Sequence, residues 1–279
     1  MIRIYLSKLL NRIKLHIRKL QEKHYCKWHA VYDKEILFSS ALEVYPNPNI
    51  LYAYMHHYFH FRCPVLIREH RRYFTEEQHG FGEDAFHAMW WLLLSEFRPQ
   101  KMLEIGIYRG QVISLWALIC ERILRQPYEV HGISPFTNIG DSVSNYLDEL
   151  DYMGDVVDTF RHWNLSQPTL VKALSTDPVA VDYIKSHAWD LIYIDGNHEY
   201  EVVLKDYELC SSNLSLGGLL VLDDASLGTS FKPPSFAFAG HPGPSRVARE
   251  YAHEEMHFLG AVGHNRVFRK IAEMKEKAR

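Results

Sequence analysis

Apolar and polar positions along this chain fall into two alternating patterns. Short apolar runs, too short for helices and often β-branched, occur at Lys101–Ile105, Glu129–Ile133, Thr169–Ala173, Leu191–Ile194 and Leu219–Leu222. Each reads as a buried strand. Stretches of helical period lie between them, at about Gln111–Leu124, Val143–Trp163 and Tyr200–Leu209. Such alternation demands a mostly parallel sheet with helices on both faces. Phe258–Val262 and Asn265–Lys270, around Gly263-His264, read as a closing strand pair that adds one antiparallel strand. Upstream, Glu83 and Asp84 suit the positive start of a helix through Phe86, Met89, Trp90, Leu93 and Leu94, which Pro99 stops.

The flanks are less regular. Residues 2–23 form an amphipathic pattern, with Ile2, Leu6, Leu9, Ile13, Ile17 and Leu20 opposite Arg3, Lys8, Arg12 and Lys19. This stretch is either a peripheral membrane element or a helix docking on its own domain or on a dimer partner. Pro46-Asn47-Pro48-Asn49 marks a turn before a helix through Tyr52, Met55 and Tyr58, while the polar stretch Arg68–Gly82 reads as a loop. Thr229–Ser245, with four prolines and two glycines, reads as a long irregular loop and a lid over a substrate. A short helix is expected at Ser245–His253.

Composition adds little to this picture. A chain of 279 residues, 47% hydrophobic and 23% charged, with a net charge of −3, gives no reason to expect a nucleic-acid partner. Cys26, Cys63, Cys120 and Cys210 are far apart and form no CxxC pair, so free thiols are expected. With no membrane-span pattern and no secretory leader pattern, a cytoplasmic protein is the expectation. The one local imbalance is the N-terminal helix, with seven Lys/Arg against one Glu in residues 1–24.

The chemistry gathers at strand ends. Leu191–Ile194 runs into Asp195-Gly196, and Leu219–Leu222 runs into Asp223-Asp224. Two parallel strands joined by a helix bring both ends to one sheet edge, where open α/β sheets bind ligands. Three carboxylates and the imidazole of His198 therefore converge. Such a cluster raises its own pKa values unless a cation neutralises it, and oxygen-only ligands suit Mg²⁺. The competing reading is that Asp223 or Asp224 caps the next segment or bonds a cofactor. His198 is either a base or a cap for the helix that follows. At the other strand, Gly106 and Gly110 flank a turn with Tyr108 between them, where a dinucleotide fingerprint requires a third glycine. Glu104, at the strand end, suits a cationic ligand better than a phosphate.

LEIGIYRG, followed by IDGNHEYEVVLKDYE and LSLGGLLVLDD, resembles the ordered motifs of class I S-adenosylmethionine (SAM)-dependent methyltransferases. The similarity is to the small-molecule branch that includes sugar, macrolide and catechol-type O-methyltransferases, and it spans about Glu83–Lys270. It implies a Rossmann-like α/β fold, a seven-stranded sheet of order 3-2-1-4-5-7-6 with strand 7 antiparallel. Residues 1–82 would be an N-terminal helical extension and 83–279 the methyltransferase domain. By the same resemblance Glu104, Gly106, Tyr108, Gly110 and Asp195 hold the cofactor. Ser134 stands where the family carries a ribose-binding acid, with Asp141 as the alternative for that role, and Ser175 lies at the adenine edge. Asp195, Asp223 and Asp224 occupy the metal positions of metal-dependent members, and His198 the position of the catalytic base, with Asp195 sharing the catalytic centre. His264 and Asn265 are expected to be structural, with contact to the site as the alternative. The implied activity is metal-assisted O-methylation of a hydroxylated small molecule or sugar. The alternatives are a metal-independent methyltransferase and a non-catalytic subunit of a biosynthetic complex.

Overall fold

The computed structural model describes the chain except residues 1, 29–35, 77–78, 144–146, 148, 251–254 and 273–279. In it seven strands form one sheet of order β3-β2-β1-β4-β5-β7-β6. The strands are β1 (Lys101–Ile105), β2 (Glu129–Ser134), β3 (Thr169–Lys172), β4 (Trp189–Ile194), β5 (Leu214–Leu222), β6 (Met256–Val262) and β7 (Asn265–Lys270). β1 to β5 pair in parallel, and β7 lies antiparallel between β5 and β6. The fold is thus the Rossmann-like methyltransferase sheet that the motifs imply.

Successive residues on each central strand feed opposite cores, as the two-residue strand period requires. Met102, Leu191, Tyr193, Leu219 and Val221 face one side; Leu103, Ile192, Ile194, Leu220 and Leu222 face the other. The first face is covered by α5 (Asp84–Phe97) and α6 (Gln111–Leu118), the second by α8 (Pro178–Lys185), α9 (Tyr200–Ser212) and α10 (Pro242–Glu250). α6 runs on as a π-helical turn over Ile119–Leu124, a local widening that the helical period of the sequence does not reveal.

The N-terminal extension shares the first core. α1 (Ile2–Trp28), α2 (Phe38–Val44), α3 (Pro48–Phe61) and α4 (Val65–Glu76) precede α5, and Phe38, Tyr52 and Met55 pack in the same cluster as Trp90 and Met102. Asn47 caps α3 through its side chain, which accepts from the amides of Asn49 and Ile50. The boundary drawn at residue 82 falls in the connection between α4 and α5.

α4 corrects the loop expected over Arg68–Gly82. Ile67, His70, Arg71 and Phe74 recur at helical spacing and are buried, so the buried face is half polar and escapes a hydrophobic pattern. Arg71 is carried inside by donating to Asp84 at 2.9 Å. α7 (Tyr152–His162) occupies only the second half of the helical pattern expected over Val143–Trp163. Part of the first half lies outside the described residues. The stretch over Thr229–Ser245 is irregular as far as His241 and then enters α10, three residues before the helix expected at Ser245. The side chains of Cys63, Cys120 and Cys210 are free thiols; that of Cys26 lies outside the described residues. Among the described residues no helix is long and apolar enough to cross a membrane.

Candidate active site

In this strand order, the crossovers after β1 and after β4 run in opposite directions, and ligands bind at such a switch point. A cavity of about 390 Å³ opens there. It is lined by Glu104, Gly106 and Tyr108 from the β1 end, Asp195 and His198 after β4, Asp223 and Asp224 after β5. Gly82, Glu83 and Phe86 close it from α5 and the chain before it, and His241 and His264 from the C-terminal loops.

The glycine turn after β1 is required by the protein itself. Gly106 has φ +91°, and a Cβ there would sit 2.0 Å from the Asp195 carbonyl oxygen. The β1 and β4 ends therefore close against each other through backbone. Gly110, also at positive φ, opens α6 and packs on Val156. Glu104 follows Met102 onto the first core face and is 3% exposed, with Oε2 lacking any hydrogen-bond partner. Burial, reinforced by the charge of Asp223 and opposed by a backbone hydrogen bond from Ile113, pushes its carboxyl up to about 8.

The acids divide into two sorts. Asp195 is held well above the usual carboxylate range by burial and then by Asp223. Asp223 is raised by burial and by Asp224, against the pull of His264. Asp224 is buried too, yet its hydrogen bond with His198 and the charge of His264 bring it below the usual range. It sits at φ +52°, a left-handed conformation that Asp tolerates better than most residues. Its carbonyl accepts from the His241 amide at 2.8 Å and the Ser245 hydroxyl at 3.2 Å. Gly240 allows this crossing: a Cβ there would lie 2.1 Å from the same oxygen.

His198 stands between two carboxylates. Its Nδ1 lies 2.7 Å from Asp141 Oδ2 and its Nε2 3.0 Å from Asp224 Oδ2. Asp141 Oδ2 also accepts the His198 backbone N–H. Burial alone would lower this imidazole; the hydrogen bond and charge of Asp224, followed by Asp141, outweigh it and raise its pKa. The ring does not cap α9, whose N-cap is Glu199 without a side-chain bond.

Two further histidines complete the cluster. His264, in the β6–β7 turn, donates from Nδ1 to the Phe238 carbonyl at 3.0 Å, which aims Nε2 at Asp223 Oδ1 (3.3 Å) and Asp224 Oδ1 (3.6 Å). His264 thus takes the alternative to a structural role and lines the cavity, while Asn265 pairs in β7. His241 Nε2 is 3.8 Å from Asp224 Oδ2. Burial and the neighbouring His198 charge keep His241 below its ordinary value. No sequence motif marks either residue.

Other expected site residues stand apart from the cavity wall. The Ser134 hydroxyl donates to the Ile107 carbonyl at 3.1 Å, bracing the glycine turn. Asp141 is engaged by His198. Ser175 donates to Asp206, 3.0 Å away on α9. Asp195 belongs to neither of the two three-ligand groups at this edge: those are Asp223, Asp224 and His264, and His198, Asp224 and His241.

Residues 103–225 match a family model described as a methyltransferase domain. The sequence matches no curated protein. Among solved structures, the O-methyltransferase from Bacillus cereus in complex with SAH is similar at 13% identity and a TM-score of 0.51, over 76% of this chain and 93% of that one. Cofactor-bound Rv0187 from MTB is similar at 12% identity and a TM-score of 0.54, over 82% and 99%. At these identities the likeness is one of fold. Joined to the domain match over residues 103–225 and to motifs in the right order on the right strands, it gives this chain the fold of class I SAM-dependent methyltransferases.

Proposed function

We propose that the protein methylates an oxygen of a hydroxylated small molecule or sugar, with His198 as the base and a divalent cation assisting at the acidic edge. The observation that carries this reading is the position of His198, fixed by Asp141 on one nitrogen and exposed to the cavity with Asp224 on the other.

The cavity suits the cofactor. The Oε2 of Glu104, buried without a hydrogen-bond partner at the β1 end, belongs to a carboxyl that a cationic ligand would ionise and satisfy. Glu104 and the Gly106 turn, with Tyr108 and Asp195 beside them, would hold it. When bound, it supplies an electrophilic methyl group on a sulfonium. The chain's own part is positioning and proton handling. When His198 gives up its Nε2 proton, Nδ1–H still donates to Asp141, so the tautomer is fixed and the Nε2 lone pair can take a proton from an acceptor hydroxyl. Phe86, Phe238 and Tyr108 exclude water from the wall against which the acceptor would lie.

Asp223 Oδ1 is buried without a hydrogen-bond partner, and Asp195 and Asp223 are raised by burial and then by the charges of the neighbouring acids. Both features favour a cation, held by Asp223, Asp224 and His264, with Asp195 alongside. Mg²⁺ was expected from an all-oxygen set; the imidazole shifts the preference toward Mn²⁺ or a similar ion. A metal-free reading is favoured by the histidines already ringing Asp224. Turnover of a catechol or sugar panel with and without chelator separates the two: activity lost on chelation and restored by Mn²⁺ or Mg²⁺ supports the cation, and chelator-insensitive turnover removes it.

The exposed Leu10, Ile13, Ile17 and Leu20 on the basic helix α1 support a contact with another surface, a membrane or a second copy of the chain.

A further inference from the structure

A second group of ligand atoms lies away from the cavity, where the extension meets the methyltransferase domain. His56 and His60 are one turn apart on α3 and share a face. Asp84 opens α5 and points at both. His56 is 1% exposed, and neither of its ring nitrogens has a hydrogen-bond partner. Burying an imidazole with both nitrogens unmatched is costly unless something else satisfies it. His60 Nε2 lies 3.0 Å from Asp84 Oδ2, within ion-pair range, and His56 Nε2 lies 4.0 Å from the same oxygen. Three ligand atoms thus converge on one point, and the His56 ring among them is left without a hydrogen bond.

We propose that His56, His60 and Asp84 bind a divalent transition-metal ion, Zn²⁺ by ligand chemistry, that staples α3 of the extension to the first turn of α5. One ligand atom from each residue lies within 4.8 Å of the others. A tetrahedral ion with bonds of about 2.0–2.1 Å holds its donors about 3.3 Å apart, between the two distances seen. Two imidazoles and a carboxylate leave the fourth position to water. A cavity of about 880 Å³, lined in part by His60, Asp84, Arg68 and Arg71, gives that water access. Arg71 donates to Asp84 Oδ1 at 2.9 Å, leaving Oδ2 for the ion and orienting the carboxylate. The site is distinct from the acidic edge and shares no ligand with it. Glu83 and Phe86, on the same first turn of α5 and just before it, line the active-site cavity, so the ion would brace the wall that the extension lends to the site.

The test uses the full chain, stripped with chelator, desalted, and titrated with Co²⁺ by visible absorbance and with Zn²⁺ by calorimetry. Besides any ion at the acidic edge, one ion should bind with the intense bands of tetrahedral cobalt and be displaced by Zn²⁺. Binding should persist in the Asp223→Asn/Asp224→Asn double variant and weaken by at least about 100-fold in His60→Ala. In His60→Cys, binding should return with a thiolate-to-cobalt charge-transfer band, which decides the matter even if His60→Ala fails to fold. The proposal is overturned if the folded wild type binds neither ion. It is equally overturned if binding vanishes in the double variant and survives in His60→Ala, or if His60→Cys binds cobalt without the charge-transfer band.

Discussion

His198 holds its proton more firmly than an ordinary histidine, because two carboxylates outweigh the cost of burial. Turnover that needs the neutral ring should therefore rise with pH through an apparent pKa above 6.5, the unperturbed value. The stabilisation from these pairs has the opposite slope: it is fully present below 6.5 and fades as pH passes the raised value. Replacing His198 with Ala should cut turnover by about 100-fold or more, remove that limb of the pH profile, and leave cofactor affinity unchanged. A variant with full turnover would leave His198 a positioning group for Asp224. Glu104→Gln keeps the shape and removes the charge. SAM binding should weaken by about 10- to 100-fold, the range of a charged hydrogen bond, in calorimetric titration. In the wild type, affinity should rise with pH toward 8, since the carboxyl sits at about 8 and must ionise to meet a cation. At this scale, Asp195, Asp223, Asp224 and Glu104 were legible because a strand end is a place the chain pattern marks. His241 and the role of Asp141 were not, and His264 was legible only as an alternative to a structural role. His264 and Asp141 reach the cluster from 40 and 57 positions or more along the chain from their partners, and only tertiary packing brings them there.

The strands and most helices between them followed from hydrophobic periodicity, and their register with the acidic ends followed from parallel pairing; α8, between β3 and β4, was not foreseen. Nor was α4, because its inward face carries His70 and Arg71, made tolerable by Ser114 and Asp84, which the pattern cannot foresee. The proline-rich loop after β5 was legible as irregular but not as tethered. Asn49, at the start of α3, accepts from the Lys232 amide at 2.6 Å and donates to the Ser230 carbonyl at 3.1 Å. Asn49→Ala should release that loop, raising the KM for the acceptor several-fold while sparing SAM affinity, with faster proteolytic cleavage near 230. Unchanged KM and cleavage would mean that the loop is held by Phe231, which is buried, rather than by these bonds. For α1, liposome sedimentation of the intact and residue-24-truncated chains should differ on anionic vesicles if its exposed face meets a membrane; equal behaviour with a change in oligomeric state would assign that face to a second copy of the chain.

At the scale of the whole molecule, one sheet edge collects a buried carboxyl, a carboxylate-fixed imidazole and an acid pair, and α2 and α3 share the core beneath them with α5 and β1. A scaffold subunit without activity has no physical need for Asp224 in a left-handed conformation or for a buried carboxyl such as Glu104 with one oxygen unsatisfied, each of which costs stability. Gly106→Ala tests how tightly that edge is closed. With φ at +91° and the Asp195 carbonyl 2.0 Å from the new Cβ, it should lower stability by about 2 kcal/mol or more, read as a drop in the thermal midpoint. The most direct measurement is calorimetric titration of the full chain with SAM and with its demethylated product, in wild type and in Glu104→Gln. One-to-one binding of both ligands, weakened by the substitution, is the predicted result. A folded wild type that binds neither would contradict it.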